Sequence, residues 1–109
     1  MTKTLACEWA PAIRVNAVAP WVTWTPLLVN TVEGNPHQRR SLAQAERATP
    51  LGRAAQPEEM AGAIVFMALP ASSYVSGQCL CVDGGLLVEG FAGACVTRGE
   101  APPPPPPPP

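Results

Sequence analysis

The chain has 109 residues, of which 47% are hydrophobic and 14% are charged, and its formal net charge at pH 7 is −1. This length allows at most one small domain, and the nearly neutral charge gives no electrostatic case for binding nucleic acid or an anionic membrane surface. No apolar run reaches the length of a membrane span, and Glu8, Arg14 and Asn16 interrupt the region where a signal peptide would lie. We therefore expect a cytoplasmic protein with reduced cysteines.

Helix and strand signals follow one another along the first third of the chain. Apolar residues at helical spacing predict the end of a helix over Met1–Ala10, which Pro11 closes. The run Ile13–Ala19 is short, apolar and bounded by Pro20, which predicts a buried strand. The apolar segment Thr25–Thr31 has a proline at an early position, which predicts a helix.

Prolines also mark the beginnings of two further helices. Asn35 and Pro36 are typical of a cap and a first-turn residue, and they introduce an exposed amphipathic helix over His37–Arg47. The segment Thr49–Gln56 is then predicted to be a loop. It leads to the helix Pro57–Leu69, which we expect to be buried between the sheet and a partner subunit, because apolar residues cover most of its circumference.

A second strand over Gly77–Val82 and a short apolar segment over Leu86–Phe91 complete the pattern. The order strand, crossover, strand predicts half of a parallel α/β unit, and such units bind ligands beyond the carboxyl ends of their strands. Cys79 and Cys81 face the same side of the strand, and we expect them to be buried strand residues. We expect no metal site, because a finger-like site needs four ligands and His37 is the single histidine, expected at the surface.

Several runs of residues carry a resemblance to one family. In chain order they are Leu5–Ala10, Ile13–Pro20, Thr49–Arg53, Pro57–Glu59, Ala71–Gln78 and Val82–Gly85. Through them, the segment Thr4–Phe91 resembles the carboxyl-terminal third of a short-chain dehydrogenase/reductase, and within that superfamily the plant tropinone-reductase-like proteins. The resemblance implies a truncated Rossmann-like, doubly wound parallel sheet, of which residues 1–91 supply the last two strands and their helices.

The resemblance also implies a cofactor role for the loop after the first strand. In the family, NADP(H) lies across the carboxyl edge of the sheet, and Pro20 matches the proline that packs against the nicotinamide. Thr23 and Thr25 match the positions that hold the carboxamide, which needs both a donor and an acceptor when it is buried. Trp21 stands where most of the superfamily has glycine, as it does in some tropinone-reductase-like relatives. Leu27 would begin the lobe that covers the substrate.

The family's catalytic residues have no match in this sequence. Their proton donor is a tyrosine followed four residues later by a lysine, with a serine upstream. Here the single tyrosine, Tyr74, has Gln78 at that spacing and matches a structural tyrosine near the last strand, whereas Lys3 falls after the position of the catalytic pair. Gly84 and Gly85 follow the last strand, so they do not match the glycine-rich phosphate turn. We therefore expect no turnover by the chain alone.

Three hypotheses stay open from the sequence. The chain is a carboxyl-terminal segment of an NADP(H)-dependent oxidoreductase that converts a ketone to a secondary alcohol, a non-catalytic interaction fragment, or an unstable truncated product. The helix 57–69 and the strand 77–82 match elements that pair subunits in the family, which favours a homo- or hetero-oligomer.

The final segment, 92–109, ends in eight prolines and predicts a disordered tail. The alternative is a ligand for a proline-recognising groove. We expect deletion of Pro102–Pro109 to leave the melting of the remaining chain unchanged, because a proline run makes no backbone hydrogen bonds of its own.

Overall fold

A computed structural model of the chain describes residues 1–91, and the predicted proline-rich tail, 92–109, lies outside them. The elements are α1 (Thr2–Glu8), β1 (Ala17–Pro20), α2 (Pro26–Val32), α3 (Pro36–Ala48), α4 (Pro57–Ala68) and β2 (Cys79–Val82), with short 3-10 helices at Pro70–Ser72 and Leu86–Phe91. Their order is the one that the sequence predicts.

The two strands pair in parallel. Ala17 lies opposite Cys79 and Pro20 lies opposite Val82. Trp21 extends the ladder by one bond, because its N–H donates to the Val82 carbonyl at 3.3 Å. Parallel strands need a crossover connection, and α2, α3 and α4 provide it between β1 and β2. The α/β fold class predicted from the sequence is therefore confirmed.

The helix starts follow the capping signals of the sequence. The Asn35 side-chain oxygen accepts hydrogen bonds from the N–H groups of His37 and Gln38, at 3.1 and 3.3 Å. Thr25 caps α2 in the same way, because its hydroxyl oxygen accepts from the Leu28 N–H at 3.4 Å. Each cap satisfies a donor that the helix itself leaves unpaired.

Burial contradicts two of the predictions. The run Ile13–Ala19 was expected to be a buried strand, but none of its residues is buried and Ile13 is 52% exposed. The helix 57–69 was expected to lie between the sheet and a partner subunit; in the single chain Met60 is its buried residue, and Ile64 and Val65 are 55% and 53% exposed. Cys79 and Cys81, expected in a buried strand, are exposed. The reason is that α4 packs one side against the two strands, and the rest of residues 1–91 does not cover its other side or the open part of the sheet.

The side chains of Arg14 and Asn16, just before β1, form hydrogen bonds with distant segments of the chain. The Arg14 guanidinium donates to the Met67 carbonyl at 2.8 Å and to the Val75 carbonyl at 2.9 Å. The Asn16 amide donates to the same Val75 carbonyl at 2.9 Å, and its oxygen accepts from the Gln78 N–H at 3.0 Å. These bonds connect the end of α4 and the segment before β2 to the start of β1.

No helix among residues 1–91 is both long enough and apolar enough to cross a membrane. Over the same residues, histidine, cysteine, aspartate and glutamate side chains form no group of three that would hold a metal ion. His37 is exposed in the first turn of α3.

Candidate functional site

The candidate site is the loop that follows β1, at the carboxyl ends of both strands. Of the five residues singled out from the sequence, Pro20 ends β1, Trp21, Thr23 and Thr25 lie in the loop, and Leu27 lies in the first turn of α2. Leu27 stands apart from the others, because its side chain is 77% exposed on α2. The fold therefore brings four of the predicted residues into one short segment at the ligand-binding edge of a parallel sheet.

A second segment of the chain holds this loop in an extended form. Thr23 forms an isolated parallel bridge with Ala55. The Trp24 N–H donates to the Ala55 carbonyl at 2.8 Å, and the Ala55 N–H donates to the Val22 carbonyl at 2.9 Å. The loop before α4 thus extends the sheet edge by one bridge, a contact that the sequence analysis did not predict.

This bridge determines where the peptide groups of Thr23 point. Because Ala55 bonds to the residues on either side of Thr23, the N–H and C=O of Thr23 itself point away from Ala55. The Thr23 carbonyl accepts from the Thr25 N–H at 2.8 Å, while the Thr23 N–H forms no hydrogen bond with any residue in the described range 1–91. The Thr23 hydroxyl donates to the Trp21 carbonyl at 3.0 Å. One backbone donor and one spare carbonyl lone pair therefore face away from the supporting segment.

The Thr25 hydroxyl has a structural partner and retains a further hydrogen-bonding capacity. Its oxygen accepts from the Leu28 N–H in the cap of α2. A hydroxyl carries one donor hydrogen in addition to its lone pairs, so Thr25 can cap the helix and still donate to a ligand.

Trp21 is fixed by a residue that the sequence analysis did not connect with it. Its indole Nε1 donates to the Thr49 hydroxyl oxygen at 3.1 Å. Thr49 is 2% exposed, and its hydroxyl donates in turn to the Ala45 carbonyl at 2.8 Å. Trp21 and Thr49 are 28 residues apart, so no local pattern in the sequence indicates the contact.

A pocket of about 70 Å³ lies beside the loop, with Trp21 and Val22 on one side and Arg53, Glu59 and Asp83 among its other lining residues. The Arg53 guanidinium forms two parallel bonds with the Glu59 carboxylate, Nη1 to Oε2 at 2.8 Å and Nη2 to Oε1 at 2.7 Å. The pocket wall therefore carries this ion pair together with the Asp83 carboxylate, which accepts from the N–H groups of Gly85 and Leu87 at 2.9 and 3.1 Å.

Hydrogen bonds to Glu59 stabilise its ionised form. The bonds from the Arg53 guanidinium and from the Gln56 N–H, the latter 2.7 Å long, lower the pKa of Glu59 from its ordinary 4.5 to about 2. The same hydrogen bonds stabilise the charged form of Arg53, because the bond to Glu59 raises the pKa of the guanidinium. Glu59 is thus ionised at neutral pH and unsuited to exchange a proton there.

The parallel crossover and the loop at its carboxyl edge define the class of a Rossmann-like α/β protein. A family model described as "Enoyl-(Acyl carrier protein) reductase" matches residues 1–87. The chain belongs to the short-chain dehydrogenase/reductase superfamily.

Curated relatives identify the branch of the family to which this chain is similar. A chloroplastic tropinone reductase homologue of Arabidopsis thaliana is 46% identical over 92 residues, which are 84% of this chain and 27% of the relative. A tropinone reductase homologue of Datura stramonium is 44% identical over 92 residues, 84% of this chain and 34% of the relative. The chain therefore spans about a third of the length of the curated relatives that it matches.

Solved structures agree with this assignment. The chain is similar to the Cj0485 dehydrogenase, with a TM-score of 0.73 and 35% identity over 79% of this chain and 34% of that one. It is also similar to a deletion mutant of the Thermoplasma acidophilum aldohexose dehydrogenase, with a TM-score of 0.71 and 35% identity over 80% of this chain and 40% of that one. At this identity the likeness covers the fold of one part of a Rossmann-type dehydrogenase.

Proposed function

We propose that residues 1–91 form the carboxyl-terminal part of an NADP(H)-dependent short-chain oxidoreductase, and that the loop at residues 20–25 binds the nicotinamide carboxamide. The observation that carries this proposal is the orientation of Thr23. Its N–H has no partner within residues 1–91, and its C=O has a lone pair to spare, on the side of the loop that faces away from Ala55.

The chemistry of a carboxamide matches this arrangement. A carboxamide has an acceptor oxygen and a donor NH₂ group, and burial without partners would cost about 1–3 kcal/mol for each group. The Thr23 N–H would donate to the carboxamide oxygen, the Thr23 carbonyl would accept from the NH₂ group, and the Thr25 hydroxyl would supply a further donor. Pro20 and Trp21 would line the approach to the ring. When bound, NADP(H) supplies the hydride, and this loop fixes the rotation of the ring that carries it.

The names of the relatives support a carbonyl substrate. The curated relatives are tropinone reductase homologues, and tropinone is a ketone, so we propose the reduction of a ketone to a secondary alcohol. Leu27, 77% exposed at the start of α2, would contribute apolar surface to the substrate side of the loop. The aldohexose dehydrogenase among the structural neighbours acts on a sugar by its name, so the fold does not determine the substrate.

We expect the 109-residue chain alone to show no NADPH-dependent ketone reduction. Its single tyrosine, Tyr74, is fully exposed and has Gln78, not lysine, four residues later. A positioned general acid contributes roughly 10²–10⁴-fold to such a reaction. The measurement is NADPH oxidation by purified chain with a small ketone, and steady turnover free of host reductases would contradict the expectation.

The cofactor contact itself is tested in a chimera. The amino-terminal two thirds of the Datura stramonium homologue would be joined to residues 1–91 of this chain, and we expect the product to bind NADPH and reduce a ketone. Thr25→Val should raise the KM for NADPH by about two- to tenfold, the range expected for one hydrogen bond. Thr31→Val is the control, because its hydroxyl bonds only to the Leu27 carbonyl within α2, at 2.7 Å. A folded chimera that binds no NADPH would overturn the proposal.

The second candidate is an interaction fragment, and the exposure of α4 favours it. Ile64, Val65 and Phe66 are each at least 44% exposed, and neighbouring exposed apolar side chains of this kind are stabilised when a protein partner covers them. Co-purification of the tagged chain with the full-length Datura stramonium homologue, without any gain of activity, would support this role.

A further inference from the structure

We propose that Thr49 is a positioning residue for the loop at residues 20–25. Its hydroxyl accepts from the indole of Trp21, and the Trp21 carbonyl in turn accepts from the hydroxyl of Thr23, whose peptide groups are oriented by the bridge to Ala55. The role of the loop in this inference rests on the proposed function, whereas the hydrogen-bonded chain from Thr49 to Thr23 stands on the structure itself.

Thr49 is held too firmly to turn away from Trp21. Its side chain is 2% exposed, and both its N–H and its hydroxyl donate to the Ala45 carbonyl, at 3.1 and 2.8 Å. The space around its methyl group is filled as well, since a Cβ added to Gly84 would lie 2.7 Å from the Thr49 methyl carbon. The hydroxyl oxygen is therefore a fixed acceptor.

The direction of the bond between Thr49 and Trp21 is determined by chemistry. An indole N–H donates and does not accept. The Thr49 hydroxyl hydrogen points to the Ala45 carbonyl, so a lone pair of the same oxygen is left for the Trp21 Nε1–H. The indole N–H donates, the hydroxyl both accepts and donates, and the Ala45 carbonyl accepts. No other placement of the two hydrogens forms both hydrogen bonds.

Trp21 connects Thr49 to Thr23, the candidate cofactor contact. Its N–H donates to the Val82 carbonyl at 3.3 Å and its C=O accepts the Thr23 hydroxyl at 3.0 Å. Trp21 is thus held at its ring, its N–H and its C=O. Loss of the ring anchor would leave the Trp21 side chain, 39% exposed, free to change rotamer and would loosen the backbone before Thr23.

The same bonds connect the loop with α3. Ala45 lies in the last turn of α3, and α3 packs against α2, whose start lies next to the loop. A displacement of α3 would move Thr49 and, through it, Trp21. The inferred consequence is that the position of α3 and the geometry of the loop at residues 20–25 are coupled through one hydroxyl.

Hydrogen exchange followed by mass spectrometry on the full 109-residue chain tests the inference in any association state. Thr49→Val keeps the shape but removes the hydroxyl, and we expect the hydrogen-bonded amides of Trp21, Trp24 and Thr25 to exchange about two- to tenfold faster, the effect of one lost hydrogen bond. Thr49→Ser restores the hydroxyl and should return the exchange to the unmodified rate. Trp21→Phe should reproduce the effect of Thr49→Val, whereas Trp24→Phe, an indole without a hydrogen bond within residues 1–91, should not.

Each outcome decides the matter. Unchanged exchange of the Trp21, Trp24 and Thr25 amides in both Thr49→Val and Trp21→Phe would overturn the inference, and so would fast exchange of these amides in Thr49→Ser. If Thr49→Val unfolds the whole chain, the exchange rates of Trp21→Phe alone test the inference. This variant removes the indole N–H donor from a partly exposed ring and leaves Thr49 unchanged. In the chimera, Thr49→Val should raise the KM for NADPH by a similar factor and leave kcat within about twofold. A chimera without activity would refute the proposed function but leave the exchange result intact.

Discussion

At the scale of single residues, Glu59 connects the loop before α4 to the first turn of that helix. Its carboxylate accepts two bonds from Arg53 and one from the Gln56 N–H. These bonds lower its pKa from 4.5 to about 2, so folding favours the ionised form. The stabilisation is therefore complete above pH 4.5 and is lost as the pH falls from 4.5 towards 2.

We predict that Glu59→Gln lowers the free energy of unfolding at neutral pH by about 0.5–1 kcal/mol, a figure already reduced for the solvent exposure of the pair. The difference from the unmodified chain should vanish near pH 2, where Glu59 itself becomes protonated. Glu58→Gln is the matched control, because it removes the same charge from the same turn and leaves the Arg53 pair intact. Urea unfolding at both pH values measures this, and an equal loss in the two variants would contradict it.

A comparison of Gly84 and Gly34 separates the free-energy cost of a positive φ from the cost of a steric clash. Both have a positive φ, +63° and +72°, but a Cβ on Gly84 would lie 2.7 Å from the Thr49 methyl carbon, whereas a Cβ on Gly34 would meet nothing within 4 Å. We predict that Gly34→Ala costs about 1–2 kcal/mol from the backbone conformation alone, and that Gly84→Ala costs at least about 1 kcal/mol more through the clash. Thermal unfolding measures the stability of both variants. Equal losses of stability would mean that Thr49 moves away and relieves the clash.

At the scale of elements, the sequence predicted what depends on neighbours in the chain. Asn35 and the prolines at the starts of α2, α3 and α4 act within one helical turn, so their positions identify those starts. Burial depends on which other elements are present, which is why the prediction of buried cysteines in β2 was wrong.

The contacts that shape the site were beyond a local pattern. Pro20, Trp21, Thr23 and Thr25 lie within six residues of one another at the end of β1 and in the loop after it, so their proximity follows from the sequence alone. The bridge to Ala55 and the bond to Thr49 join segments about 30 residues apart. Hydrophobic periodicity indicates which face of a helix or strand is apolar, and a capping residue indicates where a helix begins. Neither pattern identifies the distant residue that binds an exposed indole.

Arg14 illustrates a contact that joins elements. It donates to the Met67 carbonyl near the end of α4 and to the Val75 carbonyl before β2. We predict that Arg14→Met lowers the free energy of unfolding by about 1.5–3 kcal/mol, because it removes two charged hydrogen bonds and leaves a half-buried site without its donor. Arg40→Met, in an exposed position of α3, should change stability by less than about 0.5 kcal/mol. Equal losses in urea unfolding would show that the Arg14 bonds contribute little.

At the scale of the whole molecule, the uncovered apolar surface determines how the chain behaves in solution. Ile64, Val65, Phe66 and Leu69 are between 44% and 55% exposed, and Leu80 of β2 is 37% exposed. An apolar surface of this kind on a helix and a neighbouring strand is stabilised when a second surface covers it. Two-fold pairing of identical surfaces is the simplest way to do so, because each copy then covers the other.

We predict that the chain self-associates and that Ile64→Lys shifts it towards smaller species without loss of helix. Ile64 is 55% exposed whereas Met60, one turn earlier in α4, is buried at 9% exposure. Met60→Lys should therefore unfold the chain, since a buried charge without a partner is costly, and it serves as the control for a position facing the core. Sedimentation velocity over a range of concentrations, with circular dichroism on the same samples, measures both effects. A concentration-independent monomer of the unmodified chain with a cooperative melt would show that residues 1–91 bury enough surface on their own, and loss of helix in Ile64→Lys would show that this side chain belongs to the core.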